Sequence, residues 1–441
     1  MRPNNSYCVF GKLNNMAHFL PEIKVVDPDS TFHDQVINIR LEKGKIVDMG
    51  ADVKKKTNDE VISAENAHIS PSWVDIGTHS GEPGFEHRET LASLARAAHA
   101  GGYGHLVIRP NTAPPLDQAA AIRHIYQYRA PERVGFHPMA LASVDAKGED
   151  LTEWLDLAEA GAAAFTDGPH ALRSNAFMLK ALKYSQRTGK PLIHSPHDTE
   201  FIPGAMVHES RQSVEMGLRG WPAAAETLLL DRDLNLLEYV PAHLIWHNLS
   251  SASAIRKLEH ARDRFKDKIQ AGVGYLNLCY NENEVAHFNT LFKVSPPLRA
   301  EEDRMALWKA AEEGWIQYVS SDHFPLEEDR KKTSFPQADF GAEGLESVMS
   351  AFFSCCPLED SQSLWVRLAA QGPRSVLNWE PVSIQIGQLA DFTIYNPDPA
   401  YVFQLDQIKS RSKNNPNLGR QLKGKVYGRL HKECWMAISE K

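Results

Sequence analysis

Short apolar runs recur through the middle of the chain, and most are followed by residues whose apolar positions repeat at helical spacing. Five such runs are HLVIRPN (105–111), GAAAFTD (161–167), KPLIHSPHD (190–198), HLIWHN (243–248) and IQYVSSDH (316–323). Stretches such as ETLASLARAAHAGG and NAFMLKALKYSQRTGK lie between them and predict amphipathic helices. Alternation of strands and helices over about 310 residues is typical of a parallel α/β sheet.

Polar or ionisable residues stand at the C-terminal end of nearly every predicted strand. That edge is where a (β/α)8 barrel carries its chemistry. A doubly wound sheet would show a glycine-rich phosphate-binding turn after its first strand, and the sequence has none. The pattern therefore predicts an α/β fold with a (β/α)8, TIM-like barrel over residues 71–380.

The two ends of the chain follow a different, alternating pattern. Residues 36–50 (VINIRLEKGKIVDMG) alternate apolar and polar positions around a turn at Gly44, which is typical of a β-hairpin. QLADFTIYNPD (388–398) and LKGKVYGRLHKECWMAI (422–438) give a matching signal near the other end. We therefore expect a small composite β domain formed by residues 1–70 and 381–441.

Composition excludes some classes of function. The chain has 441 residues, a net charge of −8 and 24% charged residues, which argues against a nucleic-acid or anionic-membrane surface. No apolar run approaches the roughly 18 residues of a membrane span, and MRPNNSYCVFGKLNN lacks the apolar core of a signal peptide. The five cysteines, with no CxxC pair, predict reduced thiols. A cytoplasmic protein is expected.

Several strand ends supply residue types that bind metal ions. They are Asp75, His79, Asp167, the HSPHD group, His247 and SSDH (320–323). Hydrolysis at a carbonyl by a metal-bound hydroxide needs histidines and carboxylates that converge on one or two ions. The first strand departs from the Asp-x-His-x-His pattern of metal-dependent hydrolase barrels, because Gly77 stands at the first histidine.

From about residue 36 onwards the chain resembles the class I dihydroorotases of the amidohydrolase superfamily. The stretches that carry this resemblance are GEPGFEHRETLASLARAAHAGG, IRPNTAPP, AFTDG, FKVSPPLRAEEDR, SSDHFP, FGAEGLES and LKGKV. The resemblance implies a (β/α)8 barrel with a composite β domain. It also implies a zinc-dependent, reversible ring closure of carbamoyl-aspartate to dihydroorotate in pyrimidine synthesis.

The resemblance implies a metal site that is only partly retained. The family's strand-one histidine pair corresponds to Gly77 and His79, so one ligand of the pair is lost. The strand-five histidine corresponds to Ser195. Glycine cannot bind a metal, and the loss of an imidazole should weaken binding by orders of magnitude.

Three further ligands are matched. The family's bridging ligand, its strand-six histidine and its strand-eight aspartate correspond to Asp167, His247 and Asp322. In the family the last of these is also the general acid/base, so Asp322 is the predicted catalytic residue. Together with His79 these residues are enough for one zinc ion rather than two, because catalytic zinc usually has three protein ligands. A polar cluster without metal is the alternative.

The resemblance also carries over substrate contacts. Asn111 is retained, and Ser295 stands where the family has another asparagine. The arginine that grips the substrate carboxylate corresponds to Gly81, and a histidine pair corresponds to Leu276 and Asn277. Replacing a bidentate arginine leaves a dicarboxylate substrate without its partner.

Two histidines could compensate for Ser195. Because side chains alternate along a strand, His194 should point into the surrounding helices if Ser195 points inward. A local bulge could turn His194 inward, and His197, which shares the parity of Ser195, could swing over the barrel mouth. The charge run EEDRKK (327–332), where the family has a mobile substrate loop, is expected to be a solvated face.

Three functions follow from these observations. The first is a catalytically impaired dihydroorotase homologue, since EPGFEH and FGAEGLE are intact while ligand positions are lost. For such a homologue, the resemblance implies a role as a structural partner of aspartate carbamoyltransferase. The second is an active dihydroorotase with a single-metal site. The third is an amidohydrolase for another cyclic amide of the hydantoin or allantoin type. A homo-oligomer that binds neither nucleic acid nor membrane is expected.

Overall fold

The N-terminal part of the chain forms five β-strands in a computed structural model that describes residues 17–265 and 268–438. These strands are β1 (Ala17–Val25), β2 (Val36–Glu42), β3 (Lys45–Gly50), β4 (Asp59–Val61) and β5 (His68–Pro71). The hairpin expected around Gly44 is confirmed, because Glu42 pairs with Lys45 across a two-residue turn. Residues 1–16, including Cys8 and the stretch without a signal-peptide pattern, lie outside the described residues.

Eight parallel strands make the barrel, and the third of them consists of two segments. The segments are β6 (Trp73–Thr78), β7 (Tyr103–Ile108), β8 (Gly135–Pro138), β9 (Ala140–Leu141), β10 (Phe165–Thr166) and β11 (Leu192–His194), with β14 (Leu244–Trp246), β15 (Ile269–Gly274) and β16 (Tyr318–Ser320) after an outer ribbon of β12 (Val207–His208) and β13 (Gly220–Trp221). All five predicted runs contain a strand. Three barrel strands lie outside these runs: the first strand, β6, and the strands at residues 135–141 and 269–274.

Helices surround the barrel and join its strands. They are α1 (Leu91–Ala100), α2 (Ala119–Gln127), α3 (Trp154–Glu159), α4 (Asn175–Thr188), α5 (Arg211–Glu215), α6 (Ala224–Tyr239), α7 (Ala252–Phe265), α8 (Tyr275–Cys279), α9 (Glu301–Glu312), α10 (Glu328–Lys331), α11 (Val348–Cys355), α12 (Ser361–Val366) and α13 (Gly372–Val376). Local sequence fixes their ends. For example, the Thr90 side chain accepts a hydrogen bond from the backbone of Ser93 and caps the N-terminus of α1.

The composite sheet joins both ends of the chain. Its last strands are β17 (Asp391–Val402), β18 (Gln421–His431) and β19 (Cys434–Ala437), and its order is β19-β18-β17-β5-β1-β2-β3 with β4 beside β1. A barrel together with a β domain built from both ends confirms the predicted fold class. Among the described residues, no helix is long and apolar enough to cross a membrane.

Alternation along the barrel strands decides which side chains face the barrel interior. Val107, Ile193, Ile245 and Tyr318 belong to one buried cluster inside the barrel, and they lie on β7, β11, β14 and β16. The residues two positions further along each strand therefore point into the mouth of the barrel. This geometry brings together the C-terminal ends of β7, β11, β14 and β16.

The solvated-face prediction for EEDRKK is wrong at Lys331. Only 4% of Lys331 is exposed. Its ammonium donates hydrogen bonds to the backbone oxygens of Thr290, Lys293 and Asp339, at 3.0, 3.1 and 2.8 Å. The run therefore fastens one loop to another through a buried ammonium, which a charge count cannot reveal because it ignores backbone acceptors.

Candidate functional site

The first barrel strand carries an anchoring aspartate and a bulge. Asp75 is fully buried and accepts hydrogen bonds from the backbone nitrogen and hydroxyl of Ser321, at 2.6 and 2.7 Å. It thus joins the first strand to the eighth, and burial raises the pKa of its carboxyl. The register against β7 shifts between Ile76 and Thr78, which changes the side-chain alternation near the end of this strand.

An arginine occupies the centre of the barrel mouth. Arg109 follows β7 directly, is 5% exposed, and donates from Nη2 to Nε2 of His247 at 2.8 Å and to Oδ1 of Asp322 at 2.5 Å. Its Nη1 lies 3.3 Å from Nε2 of His79. Three of the four predicted metal ligands therefore surround the guanidinium of Arg109.

The hydrogen-bond network assigns the protonation of the two histidines. Each imidazole presents Nε2 to an N–H donor of Arg109, so Nε2 must accept and a neutral ring carries its proton on Nδ1. Nδ1 of His247 lies 2.8 Å from the hydroxyl of Tyr318, which can accept that proton. Burial, followed by the charge of Arg109, holds the pKa of His79 and of His247 well below the ordinary value.

Asp322 completes this cluster in an unusual backbone conformation. Its φ is +46°, in the left-handed region that non-glycine residues rarely adopt, and such outliers cluster at functional sites. The side chain keeps 24% of its surface exposed. Burial raises the pKa of Asp322, and the adjacent guanidinium of Arg109 opposes that rise.

Asp167, the fourth predicted ligand, does not join the other three. One carboxylate oxygen accepts from the backbone nitrogen of Ser143 at 2.9 Å, and the other accepts from the hydroxyl of the same residue. The alternation of β10 explains this, because Phe165 stacks on Trp154 of α3 and Asp167 lies two positions further along. Its carboxylate is committed to a neighbouring loop.

The two glycines at family ligand and substrate positions are closely packed. A Cβ at Gly77 would lie 2.7 Å from Nε2 of His247, so that imidazole fills the space a side chain would need. A Cβ at Gly81 would lie 2.5 Å from the backbone oxygen of Glu89. Both glycines also have positive φ, +103° and +70°, which disfavours any side chain there.

The residues around the fifth strand take structural positions. The hydroxyl of Ser195 donates to the backbone oxygen of Gly168 at 2.8 Å. His194 is fully buried and lies 2.8 Å from Asp233 of α6, so it points into the helices as the alternation of side chains predicts. His197 is buried, and burial lowers its pKa to about 3, with the charge of Arg299 as the next cause.

The predicted substrate contacts border very little space. The Oδ1 atom of Asn111 is buried with no hydrogen-bond partner among the described residues, and its Nδ2 donates to the backbone oxygen of Asp167 at 3.2 Å. Ser295, Asn277 and Asp322 line a cavity of about 10 Å³. A cavity of that size holds about one water molecule.

The side chains as placed do not fit a zinc ion. Within residues 17–265 and 268–438, no three histidine, cysteine, aspartate or glutamate side chains form a group that could hold a metal. A cationic side chain already lies among His79, His247 and Asp322, and Asp167 is engaged elsewhere. In this arrangement these residues therefore cannot hold the metal ion on which the family's chemistry depends.

Sequence reasoning missed Arg109, although it quoted the residue within two motifs. The signal was available, because Val107 is an interior residue of β7 and Arg109 follows it by two positions. Tyr318, which orients His247, was missed for the same reason. Neither residue stood out in the motifs, because arginine and tyrosine were not among the residue types considered as metal ligands.

Known proteins resemble the chain along most of its length. Residues 67–251 match the family described as dihydro-orotase-like. A dihydroorotase of Syntrophus aciditrophicus is 33% identical over 410 residues, which cover 91% of this chain and 95% of the relative. A dihydroorotase of Acetivibrio thermocellus is 31% identical over 409 residues, with 91% and 95% covered.

Solved structures of a hydantoinase and a dihydropyrimidinase share the fold. The L-hydantoinase of Arthrobacter aurescens superposes with a TM-score of 0.83 at 19% identity, covering 97% of each chain. The dihydropyrimidinase of Brevibacillus agri gives a TM-score of 0.78 at 18% identity, covering 97% of this chain and 96% of the other. At these identities the likeness concerns the fold alone. The sequence relatives decide the family: the chain belongs to the dihydroorotase family.

Proposed function

We propose that this chain is a member of the dihydroorotase family with impaired hydrolysis, acting in pyrimidine synthesis as a structural partner of aspartate carbamoyltransferase. The observation that carries the proposal is the guanidinium of Arg109 among His79, His247 and Asp322. A guanidinium cannot coordinate a water molecule as a Lewis acid does, so it cannot supply the metal-bound hydroxide that the family reaction uses. The family reaction thus lacks its usual source of hydroxide in this arrangement.

The surroundings of Asp322 support the same proposal. As a general acid/base, Asp322 would need to reach the reacting nitrogen of a bound ring. The cavity beside it measures about 10 Å³, far less than such a ring requires. Gly81 offers no counter-charge to a substrate carboxylate, and the nearby Glu89 backbone leaves no room for an arginine there.

The motifs that remain intact serve packing, as expected of a chain retained for its fold. Glu89, in the EPGFEHRE stretch, is fully buried and binds the hydroxyl of Ser410. Glu346, in FGAEGLE, accepts from the backbone nitrogens of Lys409 and Ser410, both at 2.8 Å. These contacts hold the segment before β18 against the barrel.

Two measurements on one preparation test the proposal. The purified chain should show no turnover of dihydroorotate with zinc present. It should also co-migrate on a sizing column with the aspartate carbamoyltransferase of its own organism, and its elution alone reports the expected homo-oligomer. Dihydroorotate turnover together with no complex at micromolar concentration would reject the proposal.

The second candidate is an active, single-metal dihydroorotase, and the comparisons favour it over the first. The relatives described above carry that name, at 33% and 31% identity over 91% of this chain. His79, His247 and Asp322 still surround one point, so the candidate requires Arg109 to leave it. Dihydroorotate hydrolysis that disappears in Asp322→Asn would support it, while the same assay with hydantoin and allantoin tests a ring without the carboxylate.

A further inference from the structure

We propose that the guanidinium of Arg109 is the resident cation of this site and excludes a divalent metal ion. Where they lie, His79, His247 and Asp322 do not form a group that could hold a metal, and they would close around one ion only once Arg109 is removed. The inference rests on the proposed function and deepens it, because it names what displaced the family's metal. It also names a metal class that a single substitution should restore.

The three acceptors around Arg109 are residue types that bind metal ions. Two imidazoles and one carboxylate direct lone pairs at neighbouring nitrogens of one guanidinium, over distances of 3.3, 2.8 and 2.5 Å. Two histidines and a carboxylate are a frequent ligand set for catalytic zinc, which needs three protein ligands. The donor atoms are present, but they are arranged around a guanidinium and do not form a group that could hold a metal ion.

The same three side chains cannot serve both cations. A metal ion among them would lie within a few ångströms of the guanidinium, and two like charges in a desolvated site repel strongly. Arg109 is 5% exposed, and its backbone nitrogen donates to the oxygen of Thr78 at 2.9 Å, which fixes the start of the side chain. Its replacement by metal would therefore require displacing a well-anchored residue.

Gly77 makes this arrangement possible. The position of a Cβ at Gly77 lies 2.7 Å from Nε2 of His247 and 3.4 Å from Nε of Arg109. The imidazole and the guanidinium therefore both use space beside a residue without a side chain. The absence of the family histidine at Gly77 and the position of Arg109 therefore depend on each other, because a side chain at Gly77 would occupy the same space.

The test compares metal uptake by single variants. Wild-type protein, Arg109→Ala, Arg109→Met and the control Arg211→Ala, whose side chain is 92% exposed, are titrated with Co²⁺ and followed by visible absorption. Zinc content after dialysis is measured by elemental mass spectrometry. We expect about one equivalent in both Arg109 variants, through three protein ligands, and under a tenth in the wild type and the control.

Double variants show whether the expected ligands hold the ion. Adding His79→Ala or Asp322→Asn to Arg109→Ala should weaken Co²⁺ binding by more than about 100-fold, beyond what loss of an outer partner causes. Folded Arg109 variants that bind no metal would overturn the inference. So would a wild-type protein that carries one equivalent and loses it in His79→Ala, a measurement that needs no Arg109 variant to fold.

The two proposals fail in different ways. Dihydroorotate hydrolysis by metal-free wild-type protein would overturn the proposed function and leave the exclusion of metal by Arg109 standing. Metal uptake by the wild type without turnover would overturn the exclusion and leave the impaired-hydrolysis proposal standing.

Discussion

The guanidinium of Arg109 lies 2.5 Å from the carboxylate of Asp322, although the two residues are 213 positions apart. The pair joins the end of the second barrel strand to the end of the eighth across the mouth. Removing one charge of a buried pair leaves the other without its partner. The contribution of this ion pair to stability can therefore be measured by changing one of the two residues.

Asp322→Asn should lower the free energy of unfolding by about 1–3 kcal/mol. The expected loss is smaller than for a fully buried pair because 24% of the Asp322 side chain is exposed. Urea denaturation of this variant and of Asp329→Asn, an exposed control on α10, measures the difference. Equal stability of the two variants would mean that the ion pair contributes nothing.

Gly77→Ala should destabilise the fold by about 2–4 kcal/mol, because the new methyl meets His247 in a strained backbone conformation. Gly189→Ala is the matched control, since Gly189 has a φ of +68° but no atom within 4 Å of an added Cβ. That control should cost about 1 kcal/mol. Thermal unfolding of both variants separates the steric clash with His247 from the cost of the backbone conformation. Equal losses of stability in the two variants would exclude a contribution from the clash.

His137 should weaken the fold at acid pH. It lies 3.1 Å from Nδ1 of His105 and packs on the ring of Trp379, and Asp391 and Arg374 are the charged groups near it. Burial lowers the pKa of His137 to about 3. The unfolded chain, with a histidine pKa of about 6.5, then binds more protons than the native state between those values.

The contribution of His137 to stability is therefore complete above pH 6.5 and is lost as the pH falls towards about 3. His137→Asn should flatten the acid side of a plot of unfolding free energy against pH. His260→Asn, at an exposed position, should leave the slope as in the wild type. An unchanged slope in His137→Asn would contradict the assignment.

Lys331→Met should destabilise the protein by about 2–4 kcal/mol, because three buried backbone carbonyls lose their donor. Lys332→Met is the neighbouring control, since the side chain of Lys332 is 70% exposed. Limited proteolysis between residues 324 and 342 should be faster in Lys331→Met alone. If both variants are cleaved at the wild-type rate, the ammonium does not fasten this loop.

The architecture follows from patterns that are visible along the sequence. Alternation around Gly44 gave the hairpin, apolar runs followed by helical spacing gave the parallel barrel, and the alternating patterns near both ends gave the composite sheet. These features are local and repetitive, because side chains alternate along a strand and recur at about 3.6 residues along a helix. The same alternation predicted that His194 points into the surrounding helices, where it lies beside Asp233.

The arrangement at the mouth of the barrel depends on how the strands assemble. The sequence predicted one set of ligands, namely His79, Asp167, His247 and Asp322. In the structure Asp167 instead accepts a hydrogen bond from Ser143, and the guanidinium of Arg109 lies among the other three. Those outcomes depend on how eight separate strand ends converge and on which side chain fills the space beside Gly77. Close packing allows one occupant at each point, and a motif cannot state which one it is.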